Sequence, residues 1–519
     1  MRAERYIILM RTLLLMMAMG VATVMWGFEG VEAVEAVGES PTLPDSIWHD
    51  KVTGRQIHLQ RLGGLDTLVQ MRPNALRALA KDLSINASIL SWDYFVQNRD
   101  YARISRHVLK DHFSHLPVFD NDSFSGNQFS HPYHGSMFYN TARYEGLSYG
   151  VSLLYPILGS ATWEWMCETN PPSVNDLLST GVGGAVLGEV AHRTSDLFFD
   201  NSSIGLDRVT REVIGSLLNP VRAVHRILTG EAWRVSHARG KRVEPQPFSF
   251  EFGTGYRSMQ ELKGNRDFLH SPYMEFELHY GQRFNEKKKS RPFDLFSLSL
   301  LLNLSDDHPT VGNFEISGRL ASKQIDLKKH FQLDIGFYQN LKYVDHYSKH
   351  EQAPHNFSLI SEAVSFGCQV HAERTTKWMS IQHSFMLSGI VLGGSPADYF
   401  PMRRYNFTNG ASIRDNTRYY INQKALAGHK FYFARLFSTH GYDAQELQER
   451  LSRQEELNCT GDQGVHTIIT NNFFIQYNIF KSLRLSFDYQ IYYRSSRYAH
   501  YPNVHAKSHE WKIGVIHSI

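Results

Sequence analysis

From about Pro247 to the last residue, apolar and polar positions alternate with a period of two. The cleanest run is Leu483, Leu485, Phe487, Tyr489, Ile491 and Tyr493, interleaved with Ser482, Arg484, Ser486, Asp488 and Gln490. Successive side chains of a strand point to opposite faces, so such a run has one oily side and one wet side. The same alternation recurs in Phe248, Phe250 and Phe252, in Met274, Phe276, Leu278 and Tyr280, in Phe331, Leu333, Ile335 and Phe337, and in Phe473, Ile475, Tyr477 and Ile479. Polar stretches such as Asn285 to Arg291, Asp306 to Thr310 and Gly441 to Gly464 separate the runs and read as turns and loops. About twelve strands fit, an even number within the range of outer-membrane barrels. Arg414 to Phe437 reads as one long strand or as two. The last run, His505 to Ile519, keeps Trp511, Ile513, Val515 and Ile519 in phase, with His517 out of phase. A soluble β-sandwich also alternates. The charge on the opposite face (Glu275, Glu277, His279, Glu315, Arg319, Asp334, Arg484, Asp488) suits a watery lumen as well as an outer surface.

Before the strands, the period is that of a helix. Residues 76–235 read as helices and loops, one of them over Ser91 to Val108. From Leu206 to Leu228, Val209, Val213, Ile214, Leu217, Leu218, Val221 and Val224 fall at helical spacing, an amphipathic helix that Asn219-Pro220 should kink or divide. Gly146 to Trp163 carries no charge; with Pro156 and Gly159 inside it, a core helix or a plug within the barrel fits better than a membrane span. Pro171-Pro172-Ser173 opens a further helix, with Asn175 and Asp176 as capping groups at its start. Gly184 and Gly188, four apart, clear one face of that helix for a neighbouring backbone.

The N-terminus adds a compartment. Arg2, Arg5 and Arg11 precede an uncharged, largely apolar run from Thr12 to Phe28, and small residues follow at Ala33 and Ala36, the plan of a secretory signal peptide. The alternative is an uncleaved anchor helix. Export sharpens the reading of the strands toward the outer membrane. The balance of 54 Lys and Arg against 51 Asp and Glu excludes a protein built to neutralise nucleic-acid phosphates. An abundance of aromatics, with 32 Phe and 26 Tyr, suits strands that face lipid. Cys167, Cys368 and Cys459 are too few and too scattered for a disulfide scaffold; a Cys368–Cys459 pair stays open.

Candidate chemistry sits in the helical part. Glu189, His192 and Asp196, at i, i+3 and i+7, project from one helix face, and His131-Pro132-Tyr133-His134-Gly135 supplies two further imidazoles. Glu-x-x-His is the spacing of di-metal helical bundles, so His131, His134, Glu189 and His192 are candidate ligands for a divalent metal. Alternatively, the five polar groups form an acid and base set around an ester or phosphate, with Arg143 or Arg193 as the charge clamp for substrate. A hydrogen-bonded network that joins loop to helix accounts for them equally well. No zincin motif is present to name a reaction.

The run Asn127-Gln128-Phe129, His131-Pro132-Tyr133-His134-Gly135, Tyr139 to Arg143, Glu168, Asn170 to Ser173, Asn175-Asp176, Gly183-Gly184, Gly188-Glu189, His192-Arg193, Ser195-Asp196 and Asn219-Pro220 resembles a domain family of unknown function in Gram-negative envelope proteins. The resemblance covers about residues 85–235 and implies a leader and a strand-rich C-terminal half; it carries no activity.

The expectation is therefore a mixed chain: a signal peptide over 1–36, a linker over 37–75, an α-helical domain over 76–235 and an antiparallel transmembrane β-barrel of about twelve strands over 246–519. The location expected is the cell outer membrane, with the helical domain periplasmic or inside the barrel, and the partners are outer-membrane lipid and the barrel-assembly machinery. The function reads as a structural, channel or envelope-assembly barrel; the alternative is an outer-membrane hydrolase or metal enzyme acting on a lipid or cell-wall ester.

Overall fold

The computed structural model describes residues 73–519 together with 47–49 and 56–58, apart from 237–238, 245, 263–267, 285–289, 329–330, 349–354, 423, 456 and 519. The expected signal peptide lies outside the described residues, as does most of the linker. Two short strands, β1 (Ile47–His49) and β2 (Gln56–His58), pair with each other.

The period-two runs become β3 (Phe248–Glu261), β4 (Leu269–Tyr280), β5 (Phe296–Asn303), β6 (Val311–Lys328), β7 (Phe331–Ser348), β8 (His355–Thr375), β9 (Met379–Pro396), β10 (Tyr405–Ile421), β11 (Ala425–Ser438), β12 (Gly464–Asn478), β13 (Leu483–Tyr498) and β14 (Val504–Ser518). Each pairs antiparallel with its sequence neighbours, and β14 returns to pair with β3, Gly514 opposite Gly255. The result is a closed twelve-stranded barrel with no free edge. Arg414 to Phe437 is two strands, broken where Asn422 takes a left-handed conformation. The β4–β5 connection apart, the described hairpins fall into two sets. Tight turns close β8 to β9, β10 to β11 and β12 to β13 at one end, while long loops join β9 to β10 and β11 to β12 at the other.

The two faces of the wall separate as the alternation requires. Glu251, Glu275, Glu277, Glu315, Arg414 and Lys512 line an interior cavity of about 460 Å³. Ile335, Phe337, Leu387, Ile475, Phe487 and Ile513 are exposed on the outer face. The charge on the opposite face is thus luminal.

The helical part comprises α1 (Ala75–Phe95), α2 (Arg106–His112), α3 (His131–Tyr144), α4 (Tyr149–Ser152), α5 (Leu154–Met166), α6 (Val174–Leu178), α7 (Gly184–Phe198), α8 (Gly205–Leu218) and α9 (Pro220–Thr229); a tenth helix, α10 (Ala444–Ser452), lies in the loop before β12. The helix expected over Ser91 to Val108 is two: α1 stops at Phe95, Asn98 turns left-handed, and the Ser105 hydroxyl starts α2 by accepting from the Val108 amide at 3.3 Å. Asn219 divides α8 from α9 and caps α9 by accepting from the Arg222 amide. The uncharged stretch from Gly146 to Trp163 breaks at Leu153 into α4 and α5. Among the described residues no helix is long and apolar enough to cross a membrane.

These helices pack on the outside of the barrel, not within it. Their contacts are with outward-facing side chains: Phe124 stacks on Tyr343 at 4.9 Å and meets Tyr405 edge-on, and Phe129 meets Phe314 edge-on. Val186 and Val190 of α7 share one buried apolar cluster with Tyr280, Phe296, Ile316, Leu341 and Leu359. The helical domain also touches both ends of the wall. Arg193 donates to the Pro292 carbonyl between β4 and β5 at 2.8 Å, while at the long-loop end Asn458 accepts from the Phe119 amide and Arg403 donates to the Asp120 carbonyl.

Candidate functional site

Helices α3 and α7 cross where neither has a side chain. A Cβ on Gly184 would lie 2.6 Å from the Gly135 backbone, and one on Gly188 would meet the Tyr139 ring. The small-residue face read from the sequence is therefore the seat of α3, and the contact aligns the polar positions of both helices.

Glu189 is at the centre of that seam and fully buried. Its carboxylate accepts from Tyr139 Oη at 2.8 Å, Arg143 Nε at 2.7 Å and Arg193 Nε at 2.8 Å. Burial pushes this carboxyl up, but the two guanidiniums outweigh it and hold it below the usual carboxylate range. Arg143 and Arg193, expected as a substrate clamp, are here the counter-ions of Glu189. Asp196, two turns on, pairs with the buried Arg222 at 2.6 Å and accepts from the Arg242 and Val243 amides at 3.0 and 2.9 Å. His192 is buried with no partner on Nδ1; burial first, and then the charges of Arg143 and Arg222, press it well below the normal imidazole range.

The histidine pair belongs to a different group. His131 Nε2 is 3.3 Å from Asp176 Oδ1 and its Nδ1 is 3.4 Å from the Thr180 hydroxyl. Asp176 shares a hydrogen bond with Asp120, and Asn127 donates to Asp120 at 2.6 Å and to the barrel hydroxyl of Tyr405 at 2.7 Å. Asn175 donates to Asn127 Oδ1 at 3.1 Å. The Ser173 hydroxyl caps α6, accepting from the Asp176 amide, so Asn175 and Asp176 turn their side chains into this network rather than serving as caps. Burial, and after it the Asp120 and Glu164 charges, raises the Asp176 carboxyl well above the carboxylate range. Asp120 is pushed up by burial but held below its ordinary value by hydrogen bonds with Asp176 and Asn127. One proton between the two carboxyls satisfies both. Nearby, burial raises Glu164 to about 8, and Glu168, hydrogen-bonded to Glu164, to about 10. His134 packs against Phe138 and Trp163 with Nε2 shielded and unpartnered, and burial lowers it to about 3.

The structure thus brings Glu189, Arg143 and Arg193 together and sets His131 with Asp176. Among the described residues, neither histidine of the pair is hydrogen-bonded or ion-paired to Glu189 or Asp196. No group of three or more His, Cys, Asp or Glu among the described residues is placed to hold a metal ion. Asp120 and Glu164 escaped sequence reasoning because neither stands at a motif spacing from His131. All three cysteines are free, Cys368 exposed on β8 and the others buried.

Residues 116–221 match a family model described as a domain of unknown function (DUF3943). No curated protein matches the chain. Among solved structures, the NanC porin is 12% identical over 50% of this chain and 98% of its own, with a TM-score of 0.26. The KdgM porin is 11% identical over 52% of this chain and 99% of its own, TM-score 0.23. OmpT of Vibrio cholerae is 9% identical over 53% of this chain and all of its own, TM-score 0.23. The architecture of this chain, a helical region followed by a closed twelve-stranded barrel with an oily outside and a charged inside, is that of an outer-membrane β-barrel.

Proposed function

We propose that the chain is an outer-membrane β-barrel whose role is structural or in envelope assembly, with its helical domain held against the outer wall and its lumen closed to solutes. The lumen carries this reading. Arg414 of β10 reaches Glu315 of β6 at 3.1 Å, and Lys430 of β11 reaches Glu277 of β4 at 3.8 Å, so ion pairs join strands four and five places apart around the ring. Toward the long-loop end Val344, Ile360, Ile390, Tyr432, Leu436 and Ile468 fill the interior with an apolar core. A porin lumen is wet throughout. The partners that go with this reading are outer-membrane lipid around the wall and the barrel-assembly machinery during insertion. Fractionation of cells on a sucrose gradient, followed by planar-bilayer recording of the purified chain, tests it. The expected result is co-sedimentation with outer-membrane markers and no stepwise conductance; soluble recovery or porin-sized steps would overturn it.

A second reading, an outer-membrane hydrolase, is favoured by one observation: Asp120 and Asp176 hydrogen-bond to each other beside His131, a proton-sharing pair of the kind used for acid and base chemistry. The substrate class would be a lipid or cell-wall ester. His131→Ala should then abolish ester release by the reconstituted protein while heat-modifiable mobility of the barrel is retained; equal turnover by both proteins would remove the reading.

A further inference from the structure

Helices α8 and α9 are arranged inside out. On α8, Leu206, Val209 and Val213 lie at i, i+3 and i+7 and all are more than half exposed, Leu206 at 81%. On α9, Val224, Ile227 and Leu228, at i, i+3 and i+4, are exposed in the same way, with Leu228 at 80%, and Trp233 just beyond is 72% exposed. The inward sides hold the charge. Arg208 is buried and donates to the carbonyls of Glu231 and Ala232 at 2.7 and 3.0 Å. Arg222 is buried against Asp196 at 2.6 Å, and Arg226 is buried between Glu212 and Glu231. A helix of a water-soluble domain does the opposite, turning its apolar stripe inward. An outer surface this apolar over an interior of ion-paired charges is what a hydrocarbon solvent selects.

The position of the domain says which solvent that is. Along β7, Leu341 and Tyr343 are covered by the helical domain, while Phe337 and Ile335 are exposed on the same outer face. Four residues separate Leu341 from Phe337, roughly 13 Å of strand, less than half of a hydrocarbon core of about 30 Å. The domain also contacts connections at both ends of the strands. A domain that lies along the lipid-facing wall and touches both ends of it cannot clear the bilayer. We infer that the helical domain sits at membrane depth beside the barrel, with the apolar faces of α8 and α9 in contact with lipid acyl chains. The periplasmic and in-barrel placements are both replaced by a lateral one. This inference rests on the proposed membrane location of the barrel.

The test uses the full chain with Cys368→Ser as background, single cysteines introduced as Val213→Cys, Leu228→Cys and, on the bare barrel wall, Ile513→Cys, each carrying an environment-sensitive fluorophore. The protein is reconstituted into phosphatidylcholine vesicles with acyl-chain-brominated lipid, and aqueous iodide is the opposing quencher. Labels at positions 213 and 228 are expected to be quenched by brominated lipid to within a factor of about two of the label at 513, and to be protected from iodide. Iodide quenching at 213 and 228, with brominated-lipid quenching at 513, would overturn the lateral placement while leaving the membrane barrel intact. Protection from both quenchers would overturn it in favour of a second copy or a protein partner. Absence of brominated-lipid quenching at 513 as well would remove the membrane reading itself.

Discussion

Glu189 shows how much a single side chain can hold in place. It neutralises two buried guanidiniums and accepts from a buried phenol, so its removal leaves Arg143 and Arg193 without a counter-charge in a site closed to water. Glu189→Ala is expected to destabilise the helical domain by about 3–5 kcal/mol, read from denaturant unfolding followed by tryptophan fluorescence in micelles; a loss under about 1 kcal/mol would mean the guanidiniums find other partners. His134 gives the domain a pH dependence of definite sign. Its pKa is lowered in the fold, so its neutral form is the stable one. Its contribution is complete above pH 6.5, the ordinary imidazole value, and is lost as pH falls from there toward about 3. The acid limb of stability should fall by about 1.4 kcal/mol per pH unit for this one proton. His134→Phe, which keeps the contacts with Phe138 and Trp163, should flatten it; an unchanged slope would assign the acid sensitivity elsewhere.

At the scale of elements, the crossing of α3 over α7 positions every polar group of the domain. Gly184→Ala would push a methyl group against the Gly135 backbone, which cannot yield as a flexible side chain can. The expected cost is at least about 1–3 kcal/mol, with loss of the Tyr139–Glu189 hydrogen bond as the helices part, seen as faster amide exchange across α3 and α7. Exchange as slow as in the parent would show that the helices can slide to accommodate it. The strands were legible because a period-two pattern has only one geometric meaning, but the division of Arg414 to Phe437, open between one strand and two, was decided by the left-handed turn at Asn422. Helix ends were less legible. The Ser105 cap and the left-handed Asn98 interrupt a run that periodicity alone extends from Ser91 to Val108, and Asp176 was read as a cap because its neighbour Ser173 does that work.

For the molecule as a whole, the lumen decides between scaffold and channel. Arg414 bridges Glu315 and Glu362 across the interior, and Tyr432 and Ser412 also donate to Glu362. Arg414→Ala leaves Glu362 without its cation, while Glu315 keeps Lys342 at 2.7 Å, and should hydrate the cavity, giving weak cation-selective leakage in planar bilayers where the parent gives none. A silent variant would assign closure to the apolar core around Leu436 and Ile468 alone.

The sequence by itself determined the change from helical to strand period near Pro247, a strand number close to twelve and the break between α8 and α9 at Asn219, because each is a local pattern. It also singled out Glu189, His192 and Asp196 as a polar face within the helices. Only the tertiary structure decided that these groups are parted from His131 and His134, that Asp120 joins Asp176 from 56 positions away, and that the helices lie on the outer wall. Contacts across such separations depend on how elements pack, and packing here runs contrary to the pattern's usual sense. The apolar stripe of α8 and α9 faces outward, since periodicity shows that a helix has two faces and not which solvent each will meet.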